Sequence, residues 1–453
     1  MTPSATDRLL AHIADSSNRN WSPEAVLACK VFALDTLGVA LSGSRVPAVR
    51  LLRELTDTWG RGQEARVIGT GECLTRQAAA FLNSYQIHNQ EWDSVHEPAV
   101  VHPMAVVFAT LLAWADAERG VSGQRFLSAC CIAVDVACSI GAAARNKLRF
   151  FRPAMCGALG ATAGLAQLAG LSHAATRSAL GLCYSQLSGT MQAHVEGSAM
   201  LPMQISFNTR AALDALALAQ RGIVGPLNFL EGPFGYFSLI DPDWDTSAFE
   251  SLGQTAEITR LSHKPFPSGR ATHGGVDGAL TLRRQLRFAV EDIVELRVYA
   301  PPLVRQLVDR LATSDMTPSY ARLCLPYVVA TALITGDVGV EDFAPLQLMN
   351  ESRLRLANRI KVLPDSNPAP NALTPQRVAV TLRDGRESSV DLAAVLGAPG
   401  KPLSQAQHLA KFRRAAQSGL RPLPLSKVDA LIAAVDRLDE LADVRELFNH
   451  LEF

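Results

Sequence analysis

From residue 22 to residue 221 the chain is one apolar, helix-spaced stretch after another, several of them rich in alanine with glycine interspersed. The stretches run from Pro23 to Leu41, Ala78 to Ile87, His102 to Ala117, Gly123 to Ala144, Gly157 to Ala169, Ala174 to Ser188 and Phe207 to Arg221. A helix that is apolar nearly all round must be wrapped by other helices. Small residues at Gly157, Gly160 and Gly164 let a neighbouring backbone come close. The pattern therefore predicts a compact helical bundle with buried members. Its first helix starts where Ser22 can cap and Pro23 is tolerated at the first helical position.

After about residue 260 the period changes. Ile293 to Tyr299 alternates apolar with polar residues and reads as a strand, as do Ile360 to Leu363 and Val378 to Leu382. Asp384-Gly385 is a hairpin turn signal before Glu387 to Leu392. Helical patterns at Gly274 to Phe288 and Leu323 to Ile334 lie between them, and Pro399-Gly400-Lys401-Pro402 ends the region. The expected fold is mainly α with a smaller α+β domain. Residues 1–264 form the helical domain, 396–453 return to it, and 265–395 form the α+β lid. Two domains also suit a chain of 453 residues.

Composition narrows the function. Lysine plus arginine and aspartate plus glutamate number 43 each, so no field steers the chain to nucleic acid or an acidic membrane. No stretch reaches the roughly 20 uninterrupted apolar residues of a spanning helix; the longest, Met104 to Ala115, runs into Asp116, Glu118 and Arg119. Eight cysteines are scattered through apolar stretches without a CxxC pair. They read as buried thiols in a reducing compartment. With no secretory leader pattern at its start, the chain is expected to be cytoplasmic.

Polar chemistry concentrates in two segments. His88 to Pro103 joins two apolar helices and holds His88, His96, His102, Glu91, Glu97 and Asp93, in a chain with only ten histidines. Histidine beside carboxylate sets a proton donor or acceptor near neutral pH. The three histidines lack an i,i+4 metal pair and no cysteine is near, so no metal is expected. The second segment, His263 to Asp277, carries Lys264, Arg270 and His273 on a proline- and glycine-fixed path leading into a helix, which suits a carboxylate. Arg152, in a cationic loop before a small-residue helix, and the His194/Glu196 pair are further candidates.

Glu91-Trp92-Asp93-Ser94-Val95-His96, with His102-Pro103 after it, resembles the acidic-aromatic-acidic motif of the MmgE/PrpD family. Lys264 to His273 resembles that family's lysine-proline segment, Phe32 to Gly38 its first helix, and Arg322 to Tyr327 a later helix. The resemblance implies a helical domain with a smaller lid, a homodimer, and cofactor-free and metal-free chemistry at the carbon beside a carboxylate. It covers 2-methylcitrate dehydratase, cis-aconitate decarboxylase and iminodisuccinate epimerase. Asp93, His102, Lys264 and Tyr327 fall on retained positions. Arg152, Leu201 and Gly269 depart from the decarboxylase branch, which has histidine, lysine and histidine there.

Removing a proton beside a carboxylate creates a dianion that cations must stabilise in a dry cleft. The expected roles follow. Lys264, Arg270 and Arg152 hold carboxylates, helped by Ser268, Gly269 and His273. His102 is the base, oriented by Asp93, and His96 or Tyr327 protonates the departing group. The expected activity is a dehydratase-type lyase on a small hydroxy-polycarboxylic acid, completed by closure of the lid. The alternatives are an epimerase on a similar dicarboxylate and a carboxylate-binding protein without chemistry.

Overall fold

The computed structural model describes residues 3–15 and 19–451. Long helices at Pro23–Gly43, Arg76–His88, Pro103–Glu118, Gly123–Ala143, Arg152–Leu168 and Met200–Gln220 pack around one another. Ser22 caps the first of these, its side chain accepting from the Ala25 N–H at 3.2 Å. The glycines of the Arg152–Leu168 helix act as the sequence suggests. A Cβ on Gly160 would lie 2.2 Å from the Ala133 carbonyl oxygen, and one on Gly157 would lie 2.7 Å from a Val106 methyl. Glycine here sets the spacing of the central helices.

Two helices, Pro23–Gly43 and Gly123–Ala143, are longer than their uninterrupted apolar runs. By length and composition they could cross a membrane, but 72% and 89% of their most apolar windows are buried inside the fold. Each carries an internal carboxylate that breaks the run and is neutralised. Asp35 lies 2.6 Å from Lys411 Nζ, and Asp135 lies 3.0 Å from His12 Nε2. Seven of the cysteines are buried free thiols; Cys73 is exposed, because it lies on the two-residue strand β2 (Cys73–Leu74) paired with β1 (Ala65–Arg66). The sequence reading missed this small hairpin.

The later strands are β3 (Ile293–Ala300), β4 (Ile360–Pro364), β5 (Gln376–Leu382) and β6 (Glu387–Leu392). They form one sheet in the order β4-β3-β5-β6, with β3 and β4 parallel and the other pairs antiparallel. Gly385 turns the β5–β6 hairpin at φ 83°. The His273–Leu286 helix covers the sheet so closely that a Cβ on Gly278 would lie 2.3 Å from a Val378 methyl. After the sheet, the Gln405–Gln417 helix packs against Pro23–Gly43, where a Cβ on Gly38 would meet the Phe412 ring at 2.8 Å.

Helix ends differ from the sequence reading by a few residues. Pro103 takes the first helical position and leaves His102 outside the helix at φ −104°, ψ 72°, as the residue before a proline requires. The helix expected from Phe207 starts at Met200 instead, with Pro202 inside its first turn.

Replacing Gly160 with alanine should lower the unfolding free energy by about 1–3 kcal/mol through overpacking, read from urea denaturation. Unchanged stability would show that the helices can separate at no cost.

Candidate active site

Backbone pairing brings the two polar segments together. His96 N–H donates to the Val101 carbonyl at 2.8 Å and Val101 N–H donates back at 3.3 Å, folding the 88–103 segment on itself. Val95 and Ser262 then exchange both backbone bonds, at 3.1 and 2.8 Å, which docks that segment beside Lys264. Trp92, fully buried, fixes the same contact by donating from Nε1 to the Pro265 carbonyl at 3.4 Å.

At the junction Asp93 is wholly shielded from solvent and gathers three cationic or proton-bearing groups. His88 Nδ1 and His102 Nδ1 share its Oδ2 at 3.0 and 3.2 Å, and Lys264 Nζ lies 3.7 Å from its Oδ1. Lys264 also donates to Glu91 Oε2 at 2.9 Å. Burial alone would raise both carboxyls, but the surrounding ammonium and imidazoles prevail. His88, His102 and Lys264 hold Asp93 well below the usual carboxylate range. Lys264, His88 and His102 bring Glu91 down to about 2.

The two histidines are driven apart. Burial lowers His88, but the Asp93 and Glu91 charges outweigh it and its affinity for a proton rises. Burial and then Lys264 lower His102, despite its contact with the same carboxylate. Opposite shifts on neighbouring groups are how one site keeps an acid and a base at one pH. His88 is thus the readier of the two to hold a proton, and His102 the readier to stay neutral.

His102 and Glu91 line a cavity of about 60 Å³, room for roughly four or five waters at the 10–15 Å³ that one water needs. Leu148, Phe151, Met191, Leu307, Leu323 and Leu373 supply much of the remaining wall. With Nδ1 of His102 on Asp93, Nε2 is the nitrogen left for a ligand. Glu91 and Val100, both on the cavity, adopt φ of 53° and 54°. Side chains rarely accept this left-handed region, and such strain gathers at functional sites. His194 also lines the cavity. Its Nδ1 lies 2.9 Å from Arg310 Nη2, a donor, so its own proton belongs on Nε2. Burial and then Arg310 bring His194 down to about 4.

The other expected site residues are dispersed. Gly269 and Arg270 line the cavity, but Arg270 Nε donates to Glu97 at 2.9 Å and its Nη atoms donate to the carbonyls of His263, Val395 and Leu396. Arg152 points away, to Asp241 at 3.2 Å and the Asn146 carbonyl at 3.0 Å; its neighbours Phe151 and Pro153 face the cavity instead. His96 uses Nε2 on Glu257 at 2.8 Å and Nδ1 on the Ala99 N–H at 3.2 Å. Tyr327 donates its hydroxyl towards the Asp342 and Gln347 carbonyls at 2.7 and 3.1 Å. Ser268 and His273 contact each other at 3.2 Å, and burial followed by Arg270 drives His273 well below its usual value. Thus Arg152, His96, Tyr327, Ser268 and His273 do not line the cavity.

Two groups among the described residues could offer three metal ligands, His88/Asp93/His102 and Asp35/His263/His408. In each a lysine already stands on the carboxylate, Lys264 at 3.7 Å and Lys411 at 2.6 Å. A lysine ammonium thus supplies positive charge beside each carboxylate.

The whole chain can now be set beside known proteins. The MmgE/PrpD N-terminal domain model matches residues 7–248 and the C-terminal domain model matches residues 266–439. The chain belongs to the MmgE/PrpD family. Among its relatives, cis-aconitate decarboxylase of Homo sapiens is 26% identical over 433 residues, covering 91% of this chain and 87% of that protein. Cis-aconitate decarboxylase of Aspergillus terreus is 25% identical over 469 residues, covering 97% and 95%.

Within this MmgE/PrpD chain, His88, Glu91, His194 and Arg310 carry more of the site than the sequence reading gave them. His88 stood among the histidines of the polar segment but had no role assigned to it. Glu91 needed a left-handed backbone that only coordinates reveal. Arg310 gave no signal, since it reaches His194 across 116 positions.

Glu91 titrates near 4.5 when unfolded and near 2 when folded. Its ionised form therefore favours the fold above about pH 4.5, and this contribution disappears as pH falls towards 2. Urea unfolding between pH 5 and pH 3 should show a shallower loss of stability in Glu91→Gln than in the wild type. Parallel slopes would remove Glu91 from the buried network.

Proposed function

We propose that the protein is a cofactor-independent lyase that removes a proton from the carbon beside a carboxylate of a small hydroxy acid and expels water. The observation that carries this reading is the Asp93 carboxylate shared by two histidines of opposite proton affinity, of which neutral His102 alone lines the cavity. A base held neutral near physiological pH and oriented through its other nitrogen is the equipment for proton abstraction.

In the proposed reaction His102 Nε2 takes the proton. The C–H bonding pair becomes the carbon–carbon double bond of an enediolate. That pair then returns as the carboxylate re-forms, the new alkene is set between the two carbons, and the neighbouring C–O bond breaks with its electrons on oxygen. His102, now protonated, returns its proton to the leaving hydroxide as water. His194 Nε2–H, backed by Arg310, binds the carboxylate while its charge grows. Charged His88 and Lys264 keep Asp93 ionised throughout, so Asp93 orients His102 without itself accepting the proton. Neither His96 nor Tyr327 is needed.

Decarboxylation is a second reading, favoured by the names of the relatives found above. There a C–C bond would break to release carbon dioxide, its electron pair staying on carbon, and a proton taken up from water would reach that carbon through His102 Nε2. Proton NMR in deuterium oxide separates the outcomes. Loss of water establishes dehydration, and release of carbon dioxide establishes decarboxylation. Deuterium exchange with inversion at that carbon, and without either loss, establishes epimerisation.

His102→Ala should lower kcat by roughly 10²–10⁴-fold while the thermal midpoint stays close to wild type. A wild-type rate would remove His102 from the mechanism. Because burial and Lys264 push His102 below 6.5, kcat/KM should fall only below that pH, as the base becomes protonated. An acid limb centred above pH 7 would contradict this assignment.

A further inference from the structure

We infer that the cavity takes a small acid held by one carboxylate, with an alkyl arm along its apolar wall, in preference to a tricarboxylate. This substrate class rests on reading the cavity as the active site.

Nearly every cation around the cavity is already paired. Lys264 is balanced by Glu91 at 2.9 Å and Asp93 at 3.7 Å. Arg270 is balanced by Glu97 at 2.9 Å, with its remaining donors spent on backbone carbonyls. Arg152 is balanced by Asp241 and lies off the cavity. Arg310 differs. Among the described residues it has no acidic partner, its Nη2 is committed to His194, and its Nη1 is buried with no hydrogen bond. Arg310 does not itself line the cavity and lies over the Tyr320 ring at 4.9 Å, but it holds His194, which does line it. Arg322, likewise without an acidic partner among the described residues, lies over the Phe343 ring at 4.7 Å, off the cavity. One cationic relay, Arg310 through His194, therefore serves the cavity. It matches one carboxylate, and each further carboxylate would be desolvated without a partner.

Leu148, Met191, Leu307 and Leu373 present hydrocarbon where a polycarboxylate would need donors. An alkyl arm there gains roughly fourfold in affinity per buried methylene. The space of about 60 Å³ also favours a smaller acid.

Isothermal titration of the full-length protein with pentanoate, acetate and propane-1,2,3-tricarboxylate tests the class. Pentanoate should bind at least tenfold more tightly than either of the others, and Arg310→Gln should weaken it at least tenfold. The wild-type comparison stands even if that variant fails to fold. Tricarboxylate binding equal to or tighter than pentanoate overturns the inference, as does undetectable pentanoate binding. Deuterium exchange is read separately. Pentanoate preference without exchange in any hydroxy acid would leave the cavity's selectivity intact and remove the lyase reading. Exchange confined to a tricarboxylic hydroxy acid would do the reverse.

Discussion

A carboxylate removed from water must find charge and hydrogen bonds inside the protein, and Asp93 imposes that demand on everything around it. It receives two imidazoles and lies near an ammonium, which arrive from a helix end, from the residue before a proline and from a distant segment. Satisfying Asp93 brings His88 and His102 to one carboxylate. Glu91 adds its charge on His88 while Lys264 weighs more on His102, and that imbalance sets their proton affinities apart. The reactivity of the site is thus a by-product of solving a burial problem.

The helical layer makes such burial possible. Gly157 and Gly160 let helices meet at backbone distance, so the region behind the site is dense and dry. In that setting Coulomb interactions reach further than they would at the surface. Residues that merely touch the network, such as Glu97 on Arg270, gain influence for the same reason.

Much of this was legible in the sequence because helical period, proline and glycine act locally. The bundle, the four later strands, the Ser22 cap and the crowding of histidine and acid at 88–103 all follow from short-range rules. Asp93, His102 and Lys264 could be singled out since their residue types are improbable between apolar helices. The failures share a cause. Arg152, His96 and Tyr327 have the right chemistry, but their partners Asp241, Glu257 and the Asp342 carbonyl are set by tertiary packing. The His194–Arg310 relay escaped for the same reason, since nothing in either local sequence announces the other.

Lys411, on the Gln405–Gln417 helix, reaches Asp35 at 2.6 Å and donates to the carbonyl of Trp92 at 3.0 Å. The residue beside Asp93 is therefore braced by a helix near the far end of the chain. During synthesis the first helices emerge with Asp35 unneutralised and the Trp92 carbonyl unpaired, and they must wait for more than three hundred further residues. Non-local closure of this kind is slow and leaves apolar surface exposed in the interval. A nascent chain halted before Lys411 would hold the whole 88–103 segment yet lack its brace.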